Sequence, residues 1–387
     1  MKRRKEVGRL DIENPKCKWH KTVYLEDGKL MKTIHDGSFT PVEPEPEMLP
    51  LYFEGRQINS HVGVVSTLET APNLEWCWDN KNWKPWPYTT IDGEHRFDPL
   101  LLSAVGDRIY VRGNNPDGLA FMQEDAEMPS FTSFAIDGSV SAGGNIMSLL
   151  DKTMELTEVP DLGFMGLFAI MDEDVEPVLL TPPSMDTITS IGYGGCTGMY
   201  GGCTSLTAAA AMPAVTTIGE QGCSDMYIGC TSLTAAAAMP AVTTIGEQGC
   251  SDMYIGCTSL TAAADMPSLT TIGDHGCTGM YGGCTSLTAA AAMPAVTTIG
   301  EQGCTGMYGG CTSLTAAADM PSLTTIGDHG CDGMYYGCTF NMSDDGTTLN
   351  FAFPTPPVTA GENTYSTAYD VAQWMGNTNG FENQSNV

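Results

Sequence analysis

A 27-residue unit returns six times between Leu179 and Cys338. A fixed period of that length is the signature of coils stacked into a solenoid. The clearest copy, Leu206 to Ser232, reads LTAAAAMPAVTTIGEQGCSDMYIGCTS. One chemical type recurs at each slot. Leu179, Leu206, Leu233, Leu260, Leu287 and Leu314 make one ladder, and Met185, Met212, Met239, Met266, Met293 and Met320 a second. Ile191, Ile218, Ile245, Ile272, Ile299 and Ile326 make a third. The apolar side chains of one coil do not offset the entropy of ordering it, so neighbouring coils must share interfaces. A surface of this kind faces a partner more readily than it encloses a reaction.

Within a coil, Leu206-Thr207-Ala208 is expected to start a strand that Met212-Pro213 ends, since proline donates no ladder bond. Gly219 and Gly222 are expected at tight bends. Cys223, Met226, Tyr227 and Cys230 lie at i, i+3, i+4 and i+7, which predicts one face of a short helical turn closing the coil.

Twelve of the fourteen cysteines belong to the repeat, in two slots seven apart such as Cys223 and Cys230. Buried thiols are expected there, with disulfides and a metal site as the alternatives. The spacing does not match a zinc knuckle. Cys17, His20 and His35 make a weak metal candidate whose bland reading is a hairpin surface, and no metal or other cofactor is assigned.

Charge is divided along the chain. The net charge is -29, yet residues 1–35 hold ten of the 17 Lys and Arg, and none follows Lys152. A repeat region without cations cannot neutralise phosphates, so nucleic acid is excluded as its partner, and anionic membranes would repel it. No run of about 18 apolar residues marks a membrane span, and MKRRKEVGRLDIENPK lacks the apolar core of a secretory signal. The acids also serve simply to keep a long stack soluble.

The expected organisation is a basic attachment segment over 1–40, an acidic Pro-rich linker over 41–48 and an Ig-like β-sandwich over 49–145. An N-terminal cap over 146–178, the solenoid over 179–339 and a C-terminal cap over 340–387 complete it. Asp27-Gly28 reads as a hairpin turn, and Val42-Glu43-Pro44-Glu45-Pro46-Glu47 as an extended linker. Trp76, Trp78, Trp83 and Trp86 are read as sandwich core plus one edge, with a carbohydrate-stacking platform as the alternative. Gly163 to Phe168 follows the apolar pattern of Gly195 to Tyr200, as a degenerate coil would. Ser366 or Thr367 is placed to cap a helix whose Ala368, Val371, Ala372 and Met375 share a face, with Gly376 as its stop.

The run Met-Pro-Ala-Val-Thr-Thr-Ile-Gly-Glu-Gln-Gly-Cys, followed by Tyr-Ile-Gly-Cys-Thr-Ser-Leu-Thr, resembles the BspA-like leucine-rich repeat, L-P-x-x-V-x-x-I-G-x-x-A-F-x-x-C-x-x-L. Two departures are an insertion of about four residues (SDMY or TGMY) and Gly-Cys in place of Ala-Phe. The block Gly144 to Leu150 resembles the lead-in to such repeats. The resemblance implies an α+β fold built as a leucine-rich-repeat solenoid of about six coils. It also implies the company of gut Bacteroidales surface proteins and of bacteriophages that infect those bacteria.

Two repeat variants alternate. One carries Ala211 and Gln221, the other Asp265 and His275. Core slots hardly change, so the variation falls on slots expected to face solvent. Selection for new contacts and neutral drift both produce such a pattern. The candidate binding surface is Asp265, Asp319, Gln221, Gln248, His275, Gln302 and His329. Asp274-His275-Gly276-Cys277 offers a Cys–His pair without an orienting third group, and no catalytic residue is assigned. The expected function is that of a bacteriophage virion surface protein. Lys2, Arg3, Arg4, Lys5 and Arg9 would dock it on other virion proteins, and the solenoid would bind a host surface glycan or protein. A homo-oligomer is expected. The alternative is a secreted bacterial adhesin at the cell surface, and pure decoration of the particle is a further reading.

Overall fold

A computed structural model describes residues 48–121, 130–170, 178–338 and 352–376, and the backbone of four strands before them. The chain divides into two compact units, Met1–Leu49 and Pro50–Val387. In the first, β1 (Leu10–Ile12), β2 (Lys21–Glu26), β3 (Lys29–Thr33) and β4 (Phe39–Val42) follow one another in a four-stranded antiparallel sheet. Glu26 faces Lys29 across the Asp27-Gly28 step, the spacing of a two-residue hairpin. β4 runs two residues into the acid–proline stretch. Cys17, His20 and His35 lie outside the described residues.

The second unit begins with two sheets packed face to face. Their strands are β5 (Tyr52–Gly55), β6 (Ser60–Ser66), β7 (Leu74–Cys77), β8 (Lys84–Pro85) and β9 (Tyr88–Ile91). There follow β10 (Glu94–Leu102), β11 (Arg108–Gly113), β12 (Ala120–Phe121), β13 (Ser130–Asp137) and β14 (Ser139–Gly143). One sheet has the order β12-β13-β6-β10-β9, and the other runs β14-β5-β11-β7-β8. Alternation drives the layering: in β11, Ile109 and Val111 are buried while Arg108, Tyr110 and Arg112 turn outward. Phe53 meets Phe134 across the layers, with ring centroids 4.9 Å apart. Of the four clustered tryptophans only Trp86 is core, 2% exposed. Trp76 and Trp83 are half-buried, and Trp78 is 47% exposed. Trp86 is thus the core member, while β7 and β8 form the sheet edge, where Arg112 and Lys84 cover Trp83 and Trp76 through cation–π contacts.

The sandwich and the coils share one sheet. β15 (Glu158–Val159) and β16 (Val178–Leu179) follow the sandwich strands, and β16 pairs in parallel with β14. Leu179, first rung of the leucine ladder, thus sits beside Val140. β15 heads a second sheet, followed by β17 (Ser190–Ile191), β18 (Thr217–Ile218), β19 (Thr244–Ile245), β20 (Thr271–Ile272), β21 (Thr298–Ile299) and β22 (Thr325–Ile326). All pair in parallel, isoleucine beside isoleucine from Ile191 to Ile326. The regular strand of each coil is therefore the Thr-Ile step (Ser-Ile in the first coil), not the Leu-Thr-Ala segment. The latter makes single bridges, Ala235 to Ala262 to Ala289 to Ala316.

The other side of the coil is not helical. From Gln221 to Cys230 the backbone passes through successive turns. The N–H groups of Gln221, Cys223, Asp225, Tyr227 and Gly229 donate to the next coil, to the carbonyls of Glu247, Gly249, Ser251, Met253 and Ile255. Those of Gly222, Ser224, Met226, Ile228 and Cys230 fold back three residues. Every backbone donor of the stretch is thereby used. Gln221, Asp225 and Gly229 have φ of 53°, 55° and 69°, so a left-handed residue recurs every fourth position. Cys223, Met226, Tyr227 and Cys230 are still all buried. Gly219 and Gly222 lack positive φ; their requirement is space. A Cβ on Gly273 would stand 2.8 Å from the Gly246 carbonyl carbon.

Tyrosines stack along the axis. Tyr200, Tyr227, Tyr254, Tyr281, Tyr308 and Tyr335 have centroids 5.0–5.3 Å apart and planes within 6°. Phe168 and Phe134 extend the stack into the sandwich. The described cysteines are buried thiols. Cys230 donates its S–H to the Tyr200 carbonyl of the preceding coil, and its column repeats this contact. At the far end β23 (Val358–Ala360), β24 (Asn363–Tyr365) and α1 (Ala368–Trp374) cover the last coil. Gly333 and Tyr335 donate there to the carbonyls of Trp374 and Met375, and Gly361 donates to that of Ile326. Thr367 and Asp370 form a capping box at the start of α1.

Candidate recognition surface

The turn side of the coil presents the variable residues. Gln221, Gln248, His275, Gln302 and His329 occupy one column and share φ values of 50–54°. Gly194 holds the same slot in the first coil, at φ 57°. Glycine meets that backbone demand at no steric cost, whereas another residue sustains roughly 1–2 kcal/mol of strain. The first four of these side chains are half-buried, flanked by neighbours in the stack. Gln221 Nε2 donates to Gln248 Oε1 at 3.1 Å. His329 is exposed.

An acidic column runs alongside: Glu220, Glu247, Asp274 and Glu301 are exposed, and Asp328 is half-buried. Asp225 and Asp252 add a buried-edge pair. Burial, and then the Asp252 charge, pushes the Asp225 carboxyl above the ordinary aspartate range; burial does the same to Asp252. Asp265 and Asp319 lie elsewhere, at the Met-Pro corner. Each is exposed, and its Oδ1 accepts a backbone N–H of the next turn, from Ala292 and Ala352 at 2.8 Å. They bridge coils and do not join the Gln/His column. Lys2, Arg3, Arg4, Lys5 and Arg9 lie outside the described residues.

Cys277 is fully buried, and burial raises its thiol well above the usual range, which leaves the inert form. Among the described residues no three His, Cys, Asp or Glu side chains converge as a metal site. No helix among them is long and apolar enough to cross a membrane.

The Gln/His column ends in a groove of about 700 Å³ between the last coil and the C-terminal cap. His329, Asp332 and Tyr336 come from the coil, Thr364 and Tyr365 from the β23–β24 hairpin and its edge, and Asp370, Gln373 and Trp374 from α1. Asp332 Oδ2 pairs with His329 Nδ1. That bond, then the charges of Asp332 and Asp328, raise the His329 pKa. Trp374 stacks on Tyr365, with centroids 4.5 Å apart. Tyr336 is 73% exposed. Two polar atoms of the groove residues, Asp332 Oδ1 and Trp374 Nε1, are shut off from water without a hydrogen-bond partner, each at a cost of about 1–3 kcal/mol.

Sequence reasoning placed His329 on a surface but missed this groove. One signal was available. Tyr336 fills a slot that holds Gly or Ile in the other coils (Gly201, Ile228, Ile255, Gly282, Gly309), a bulky departure confined to the last turn.

No protein-family model matches the chain, and no curated protein matches it. Two solved structures are similar in part. A leucine-rich repeat protein of T. pallidum is 16% identical, over 59% of this chain and 89% of that one, with a TM-score of 0.36. A leucine-rich repeat protein from Bacteroides ovatus is 14% identical, over 59% and 77%, with a TM-score of 0.18. The solenoid itself, with its 27-residue step and its ladders of Leu, Met, Ile and Cys, resembles the BspA-like leucine-rich repeat on its own geometry and sequence.

Proposed function

We propose that the chain is a surface recognition protein whose solenoid binds a partner through the turn side of its coils. The observation that carries this reading is the Gln/His column. Five coils keep a left-handed, strained side chain where glycine would stack more easily, and strain of this sort points towards use. A stacked-coil fold is typically a binding scaffold, and the acidic columns favour neutral or basic partners. A host surface glycan or a protein with a basic patch meets that condition.

The setting proposed for this activity is a bacteriophage virion, where the chain acts as a fibre, decoration or receptor-binding protein. Its support is the split into a small unit, Met1–Leu49, holding ten of 17 basic residues, and a long acidic unit. Lys2, Arg3, Arg4, Lys5 and Arg9 then attach the protein to other virion proteins, in a homo-oligomer. Several weak contacts per oligomer add through avidity. Antibodies against the solenoid should label intact particles, and the purified chain should compete with them for host cells. Bare particles would remove the virion setting, and a chain that never adheres to host cells would remove the recognition role.

A further inference from the structure

We infer that the groove at the C-terminal end of the solenoid is a binding subsite for a neutral sugar residue. The inference rests on the recognition role proposed above and names the ligand chemistry of one place on that surface. Size is suitable, since pockets of roughly 300–1,000 Å³ hold small ligands. The lining is mixed: an exposed phenol, Tyr336, beside the stacked pair Tyr365 and Trp374, with Asp332, Asp370, Gln373 and Thr364 between them. Aromatic rings offer an apolar face to the C–H face of a sugar ring, and carboxylates and amides accept from or donate to its hydroxyls.

The two orphaned atoms select among ligands. Trp374, 8% exposed, carries a donor without an acceptor, and Asp332 carries an acceptor without a donor. A hydroxyl group is both donor and acceptor, so the hydroxyls of a sugar meet both needs. A bare cation would satisfy Asp332 and leave the indole N–H unpaired. An anionic sugar would meet Asp332 and Asp370, with the His329 imidazole already paired to Asp332 and no Lys or Arg anywhere beyond residue 152 to offset them. Both orphaned atoms belong to residues that line the groove, and both are shut off from water. A ligand that pairs with them therefore shifts the side chains around them and alters the surroundings of Trp374.

The test uses the full chain against immobilised neutral oligosaccharides, sialylated oligosaccharides and polylysine. The expected result is binding to at least one neutral sugar, weakened about tenfold or more in Tyr336→Ala. Ile91→Ala, on the exposed edge of the sandwich, should bind as the wild type does. Tyr336 is mostly exposed, so circular dichroism of its variant should be unchanged. Neutral sugar should also change tryptophan fluorescence, and Trp374→Phe should abolish that change. Binding to polylysine or sialylated sugars alone overturns the inference, as does equal neutral-sugar binding by wild type and Tyr336→Ala. If Tyr336→Ala still adheres to host cells as the wild type does, the groove is not the subsite, yet the recognition role survives. Loss of adhesion by the wild type itself would instead remove that role.

Discussion

The phenol hydroxyls of the tyrosine stack separate two roles for one residue type. Tyr227, Tyr254, Tyr281, Tyr308 and Tyr335 each accept a backbone N–H from an alanine of their own coil. Tyr200 has no such donor and its hydroxyl is a buried orphan, because Pro183 occupies the corresponding slot and has no N–H. Tyr254→Phe should therefore strand the Ala237 N–H and cost about 1–3 kcal/mol. Tyr200→Phe should be neutral or stabilising. Urea unfolding of the two variants checks the contrast. Asp225 and Asp252 provide a second residue-scale prediction. Their folded-state pKa values lie above the ordinary aspartate range. The stability they allow is full below that range and is lost as pH rises through the folded values. Asparagine tolerates their positive φ, so Asp225→Asn with Asp252→Asn should stabilise the protein at pH 7. The gain is about 0.2–1 kcal/mol, because both carboxyls remain partly in contact with water. Thermal midpoints measured from pH 3 to 7 should flatten in the double variant.

At the scale of the element, the coil depends on close backbone approach. Gly219, Gly246, Gly273, Gly300 and Gly327 form a column in which a Cβ would lie 2.5–3.0 Å from backbone of the preceding coil. Gly273→Ala should push two coils apart and cost about 1–3 kcal/mol, as overpacking does. Hydrogen exchange should show the loss concentrated at β19 and β20. The ladders themselves were legible in the sequence, since identical residues at a constant interval must stack in register. The secondary structure between them was not. Spacing of i, i+3, i+4 and i+7 suits a helix, but successive four-residue turns bury the same positions. Gly194, Gly198 and Gly202, each with positive φ, sit four apart and carried the better signal. The strand was missed because Thr217–Ile218 is two residues long, too short for an alternating pattern. The groove was out of reach for another reason: Tyr336, Tyr365 and Trp374 meet through the packing of the cap, which no periodicity encodes.

Across the molecule, stability passes from coil to coil and must be closed at both ends. The sandwich closes one end by lending β14 to the leucine row. The cap closes the other through Ala352, Trp374 and Met375, whose carbonyls accept donors of the final coil. A chain stopped at residue 351 should expose those donors and the edge of β22, and associate edge to edge. Sedimentation velocity across a concentration series should show the association, with the full chain unchanged. Hydroxyls of the exposed Thr216, Thr243, Thr270, Thr297 and Thr324 already bind carbonyls of the preceding coil, which leaves fewer open groups along the flanks.

Leu206 to Ser232 and Leu233 to Ser259 are identical letter for letter. Excising one of them would bring together two surfaces that already match. The protein's reach is therefore quantised: it can shorten or lengthen by whole rungs of about 5.3 Å, the ring-to-ring step, while the sandwich, the closing helix and the groove beside it stay as they are.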